Sequence, residues 1–337
     1  MMGNKLEEEC DKMVKRKSMQ RKGREEILKN GMKKLMCFVS VLLLVSGCIG
    51  QVTVPESVVE DSSSDQIESE TSPPESSVSE TSPPLTDIIE SALPIPAADI
   101  IITVIYDNDP YDPDLTTDWG FSCLIRGCEK TILFDTGGNG GILLKNMEKL
   151  GIDCGEIDVI ILSHIHGDHV DGLPSVLAKN NDVTVYVLQS FPFLFKENVR
   201  NLGADVVEVS RPVKICENVY SSGEISGFAN EQALVMKTDK GLIIITGCAH
   251  PGIVGMVNRA KNTFQDDILL VMGGFHLVDT SRYSVEKIIS DFRTLNVLYA
   301  GPCHCTGLTA MELFEQEYKE HYVEIGVGTI IYAKDLG

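Results

Sequence analysis

The sequence predicts an α/β domain in which sheets are covered by helices on their outer faces. Short β-branched and fully apolar runs recur through the C-terminal two-thirds of the 337-residue chain. Some of these runs stand as pairs around a glycine, as hairpins do. Others are separated by segments with apolar residues at helical spacing, as crossovers between parallel strands require. With 43% apolar residues there is enough material for a sizeable core.

The elements follow in order. Residues 100–106 (Ile-Ile-Ile-Thr-Val-Ile-Tyr) are a β-branched first strand, and 121–125 with 131–134 form a strand pair around Gly127. Residues 141–150 place Ile142, Leu143, Met147 and Leu150 on one helical face. A short apolar strand at 159–162 leads into a helix over 168–179. Further strands are expected at 183–188, 205–209, 233–237, 242–246, 268–272, 297–299 and 327–333, with helices at 253–264, 285–295 and 308–318.

Upstream of this domain the chain changes character. Residues 1–36 hold 11 basic and 6 acidic side chains, whereas residues 49–99 hold 11 acidic and no basic ones. From Met32 a short basic region precedes an apolar stretch of secretory length, which ends in Val45-Ser46-Gly47-Cys48. This pattern resembles a lipobox, where the new N-terminal cysteine is lipidated; two acyl chains there are enough for a stable anchor. The expected organisation is therefore residues 1–31 upstream of the true start at Met32, 32–48 a lipoprotein signal, 49–97 a tether and 98–337 the folded domain. The tether is rich in Ser, Pro and Glu and nearly repeats itself, as Glu70-Thr71-Ser72-Pro73-Pro74 and Glu80-Thr81-Ser82-Pro83-Pro84. It buries too little apolar surface to offset its ordering entropy. The expected location is the cell membrane, lipid-anchored through Cys48 and facing outside. The formal charge of −20 argues against a protein that works by neutralising nucleic-acid phosphates. No apolar run reaches the ~18 residues of a spanning helix, which excludes a polytopic membrane protein.

Six of the seven histidines fall in four short motifs. These are Ser163-His164-Ile165-His166-Gly167-Asp168-His169, Cys248-Ala249-His250-Pro251-Gly252, Gly273-Gly274-Phe275-His276-Leu277 and Cys303-His304-Cys305-Thr306-Gly307. All follow expected strands, where a rigid sheet displays reactive groups. On an extended loop His164 and His166 would point to one side, with Asp168 and His169 at the start of the next helix facing the same cavity. Three imidazoles and a carboxylate within six positions suit zinc, and also iron or manganese. A hydrogen-bonded histidine cluster beside an Asp cap is the structural alternative. His321 stands apart in a polar setting and reads as surface.

The His-x-His-x-Asp-His motif, with Asp135 of Leu133-Phe134-Asp135-Thr136-Gly137 upstream and the histidine loops downstream, resembles the metallo-β-lactamase superfamily over about residues 98–337. The resemblance implies a four-layer αββα sandwich with two divalent metal ions, zinc before iron or manganese, at one edge between the sheets. The downstream loops look like the branch named for an archaeal dihydropterin-methyl-ribofuranosylaminobenzene-phosphate synthase, many of whose members are known only as metal-dependent hydrolases. Carried over residue by residue, His164, His166 and His250 would hold one ion, and Asp168, His169 and His304 the other. Where the superfamily commonly places a bridging Asp, this chain has Cys248. Cys248 or Glu231 could bridge, or a hydroxide alone. Asp135 would orient a ligand imidazole. His276 is read as a donor to the substrate rather than a ligand.

Other features carry less. Relatives tend to have a histidine where Trp119 stands, and a rim aromatic is the favoured reading of Trp119 over substrate stacking. Glycines 137, 138, 140 and 141 could cradle a phosphate before a helix, but close packing against the metal loop ranks first. After Cys48 seven cysteines remain, and alternation in an extended loop would point Cys303 and Cys305 opposite to His304.

Taken together, these features predict a surface metal-dependent hydrolase in which an activated water attacks an ester or phosphoester. Asp168 and His276 would be its catalytic groups, and a small-molecule phosphate ester its substrate class. A di-iron redox or oxygen-handling protein of the same fold is the second reading. A non-catalytic metal-containing binding lipoprotein is the third.

Overall fold

The computed structural model describes residues 93–337. The expected start, signal and lipobox, and all but the last few residues of the tether, lie outside the described residues. Two sheets pack face to face. The first has seven strands: β1 (Ile101–Tyr106), β2 (Ser122–Arg126), β3 (Ile132–Phe134), β4 (Val159–Ile161), β5 (Thr184–Leu188), β6 (Asp205–Val209) and β13 (Ile330–Tyr332), in the order β13-β1-β2-β3-β4-β5-β6. The second has six: β7 (Val213–Cys216), β8 (Val219–Ser221), β9 (Leu234–Thr238), β10 (Gly241–Thr246), β11 (Ile268–Gly274) and β12 (Val297–Cys303), in the order β12-β11-β10-β9-β8-β7.

Strand alternation builds the layers. Ile243 and Ile245 of β10 face inward, against Ile102, Val104, Phe134 and Ile161 of the first sheet. Leu242 and Ile244 face outward, onto helix α5 (Ile253–Phe264). That helix buries Ile253, Met256, Val257, Ala260 and Phe264, a stripe at helical spacing. Helices α6 (Arg282–Thr294) and α7 (Leu308–Tyr318) complete this outer layer through Phe292 and Phe314. On the other side α1 (Gly140–Lys149) covers the first sheet through Leu143 and Met147. The result is the expected αββα sandwich.

Two expectations need correction. The helix expected over 168–179 is broken into α2 (Gly167–Val170) and α3 (Leu173–Leu177). Pro174 lacks the N–H that would continue the ladder, and a Cβ on Gly172 would stand 2.0 Å from the Thr136 carbonyl oxygen. Helix α4 (Phe193–Asn201) and the hairpin β7–β8 were not anticipated. In α4 the polarity is inverted, with Lys196 and Val199 buried while Phe193 and Leu194 are exposed. The two hairpin strands are short, and β7 is only partly buried.

The four histidine motifs lie at the C-terminal ends of β4, β10, β11 and β12. Strands β10, β11 and β12 run parallel, so their ends share one edge. The β4 end meets them there: a Cβ on Gly247 would stand 2.1 Å from Ser163 Oγ.

Candidate metal centre

The motif loops bring their donors into adjoining groups. His164, His166 and His250 offer ligand atoms all within 4.8 Å of one another, as do Asp168, His169, Cys248 and His304. Individual separations are shorter. His164 Nε2 and His166 Nδ1 are 3.1 Å apart. His169 Nε2 lies 3.2 Å from both Cys248 Sγ and His304 Nε2. The Asp168 carboxylate is 3.3 Å from His304 Nε2 and 3.5 Å from His169 Nε2. Donors about 2.0–2.3 Å from one tetrahedral ion stand roughly 3.3–3.8 Å apart, so these spacings need little adjustment to fit one.

Hydrogen bonds behind the rings decide which nitrogen faces the centre. Asp135 is fully buried and accepts from the Ser163 amide and hydroxyl, each at 2.7 Å, and from His169 Nδ1 at 2.7 Å. Because the Ser163 hydroxyl donates to Asp135, its oxygen accepts from His164 Nδ1, at 2.9 Å. Asn108 Oδ1 accepts from His304 Nδ1 at 2.7 Å. Three imidazoles therefore hold their Nδ1 protons outward and turn Nε2 to the centre.

Neither ring nitrogen of His250 has a hydrogen-bond partner, although both atoms are buried. Such an arrangement is costly unless something else satisfies the lone pair, and a cation does so. The His250 loop is held by its backbone instead. Glu231, fully buried, accepts N–H bonds from Gly247, Cys248, Ala249 and His250 at 2.8–3.0 Å. With four amides on its oxygens, Glu231 positions the loop and is not turned to the donors as a bridge. The Cys248 sulfur instead lies among the buried donors, grouped with Asp168, His169 and His304.

The local electrostatics differ across the site. Burial pushes His164 well below the ordinary imidazole range, and the neighbouring His169, His250 and His166 add to this. Burial, then His276 and His166, push His250 down to about 3. Burial would lower His169 as well, but Asp135 and Asp168 outweigh it and lift this ring to about 9. Burial would raise the Asp168 carboxyl, yet the His304 hydrogen bond and the nearby imidazoles hold it below the usual carboxylate range.

Backbone strain gathers here. Asp135, Ala249, His276 and His304 all have positive φ, between 51° and 60°. Non-glycine residues enter this region at a cost, and four of the eight described residues that do so surround the donors.

The remaining sequence-predicted residues fall as follows. His276 is exposed, with its ring 4.3 Å from that of His250. Its ligand atom groups with Cys248 and Cys305 within 4.8 Å. Trp119 is a partly buried rim aromatic, 4.9 Å from the His304 ring. The glycine turn serves packing. A Cβ on Gly137 would run into the Tyr106 ring and one on Gly140 into Ser175, while Asn139 caps the first amides of α1. Sequence reasoning missed Asn108 and Ser163 as ring holders, and Cys305 as a neighbour of Cys248. The loop at 304–306 is a 3-10 turn rather than extended, and it sends Cys305 toward the centre.

Comparisons with known proteins agree with this geometry. The Metallo-beta-lactamase superfamily profile matches residues 118–258. A 7,8-dihydropterin-6-methyl-4-(β-D-ribofuranosyl)-aminobenzene-5′-phosphate synthase from Methanocaldococcus jannaschii is 30% identical over 283 residues, covering 68% of this chain and 95% of that protein. An uncharacterised protein of the same archaeon is 30% identical over 256 residues, covering 67% of this chain and 98% of its own length. Among solved structures, a metal-dependent hydrolase of the β-lactamase superfamily superposes with a TM-score of 0.59 at 28% identity, over 69% of this chain and 98% of the other. The metallo-β-lactamase fold protein YhfI from Bacillus subtilis does so at 0.53 and 12% identity, over 69% and 98%. This chain belongs to the metallo-β-lactamase superfamily.

Proposed function

We propose that this protein is a metal-dependent hydrolase of esters or phosphoesters. The observation that carries the reading is the convergence of seven donors from β4, β10 and β12 ends, with three Nε2 atoms turned inward and the His250 nitrogens unpartnered. His164, His166 and His250 would hold one divalent cation, and Asp168, His169, Cys248 and His304 a second. When bound, such a pair lowers the pKa of a water and polarises the scissile oxygen.

The chain's own residues do the rest. Asp135, Ser163 and Asn108 fix the ring tautomers, so no reorientation is needed when substrate arrives. Asp168, partly exposed beside His304, orients the attacking water. His276, exposed at the mouth, donates to the charge that develops on the substrate oxygen. Phosphate esters come first as a substrate class because the M. jannaschii relative is named as making a phosphate-bearing product. We place the enzyme on the cell surface, anchored through Cys48, on the strength of the Val45-Ser46-Gly47-Cys48 motif alone.

Metal analysis of the full chain beside its His164→Ala/His166→Ala variant tests the reading, together with a screen of aryl phosphates and carboxylic esters. Transition-metal content that drops in the variant, with turnover that drops alongside it, supports a hydrolase. Bound iron without hydrolysis would redirect the reading to redox chemistry. Folded, metal-replete protein holding no transition metal would sink it.

A further inference from the structure

Among the described residues, the five buried cysteines divide into two kinds. Cys123, Cys216 and Cys303 pack within the apolar core between the sheets, as small hydrophobes. Cys248 and Cys305 are equally buried but belong to none of the three apolar clusters. They come from loops after β10 and β12, which β11 separates. They meet because Gly274 at the end of β11 has no side chain: a Cβ there would stand 2.7 Å from Cys305 Sγ and 3.1 Å from Cys248 Cα. The Cys305 sulfur makes a weak 3.6 Å contact with the Cys248 carbonyl oxygen and lies within hydrogen-bonding reach of His276. The third member is His276, whose backbone is held at φ 54°. The three ligand atoms lie within 4.8 Å of one another, and the Cys248 sulfur is also among the buried imidazoles and Asp168.

We propose that Cys248, His276 and Cys305 form a third cation site of thiophilic character, sharing the Cys248 sulfur with the Asp168, His169 and His304 group. Two thiolates and an imidazole are a donor set for zinc or cadmium rather than for magnesium or calcium, which take oxygen ligands. A thiolate has lone pairs enough to bridge two ions, which a single imidazole nitrogen cannot do. The site depends on donors alone, so it stands whether or not the chain is a hydrolase; His276 binds there through one ring nitrogen and keeps the N–H of the other for the substrate.

The probe is cadmium or zinc alone, titrated into the metal-free full chain, with stoichiometry by elemental analysis and the thiolate-to-cadmium charge-transfer band as a second readout. Three equivalents are expected in the wild-type chain. Cys305→Ala should hold two and lose a large part of the band. His276→Ala, at an exposed position, should keep both thiols yet bind the third equivalent at least tenfold more weakly. His164→Ala/His166→Ala should lose a different equivalent and keep the whole band, which separates failure of this site from failure of the two-ion centre. Two equivalents in the wild-type chain would overturn the proposal. So would a Cys305→Ala or His276→Ala protein that binds as the wild type does. If Cys305→Ala does not fold, the His276→Ala result decides.

Discussion

The two donor groups are held in opposite ways. In the Asp168, His169, Cys248 and His304 group the side chains themselves are anchored: Asp135 grips His169 and Asn108 grips His304, and both rings are buried. The carboxylates Asp135 and Asp168 favour positive charge there, so that His169 is lifted to about 9. A cation bound there would take the place of the Nε2 proton, the Nδ1 proton staying in its hydrogen bond to Asp135. In the His164, His166 and His250 group no carboxylate among the described residues binds a ring directly, and the rings are kept neutral, hence ready to donate a lone pair. His250 is held at its backbone by Glu231, with its ring packed against those of His164, His166 and His276. One half of the centre attracts charge and is rigid. The other half offers neutral donors: His164 is held by the Ser163 hydroxyl, and His250 sits on a loop that one buried carboxylate keeps in shape.

The sharpest way to break this contrast is Asp168→Ala, which removes the carboxylate of the anchored half. Turnover should fall to background and about one equivalent of metal should be lost, while the fold stays intact by circular dichroism. Undiminished turnover would remove Asp168 from the chemistry.

Glu231→Ala attacks the other half through its backbone. Four buried amides would lose their acceptor, and each such loss costs about 1–3 kcal/mol. A thermal melt of the metal-free protein should show a drop in Tm of well over 10 °C, or failure to fold. A melt within two or three degrees of wild type would mean that the loop does not depend on Glu231.

Asp135→Asn and Asn108→Ala sharpen the comparison by loosening rings without removing a donor. Loss of such outer partners typically weakens metal affinity by about 10–100-fold. Asp135→Asn should sit at the upper end because Asp135 serves both His169 and Ser163, and Asn108→Ala at the lower end. Competition with a chromogenic chelator measures both. Equal, negligible effects would show that the anchors are dispensable.

The smallest expected effect is one of pH on the metal-free protein. Unfolded, His250 titrates near the ordinary imidazole value of 6.5, whereas in the fold it is pushed down to about 3. Between these values the unfolded chain takes up a proton that the native state refuses, so stability falls as pH drops below about 6.5. In His250→Ala the decline in Tm between pH 7 and pH 4 should be shallower. An identical slope would contradict the assignment.

Much of the fold could be read along the chain because its signals are local. The unbroken apolar run through Ile243, Ile244 and Ile245 announces a strand buried on both faces, and the Ile253, Met256, Val257 stripe announces a helix against it. Helix α4 escaped because Phe193 and Leu194 in its first turn face solvent, the reverse of an amphipathic pattern. The break at Gly172–Pro174 was visible in the residues, but its necessity lies in the approach of Thr136.

By itself the sequence determined the succession of strands and helices and the clustering of histidines after strands, because residue type and spacing carry those facts; the four-layer sandwich and the split of donors into two sets were what the family resemblance implied. Tertiary structure alone decided which atoms face inward. Asn108 reaches His304 across 196 positions and Asp135 reaches His169 across 34, so no local pattern encodes those contacts. The same holds for Cys248 and Cys305, which sit 57 positions apart and meet over a glycine that belongs to neither motif.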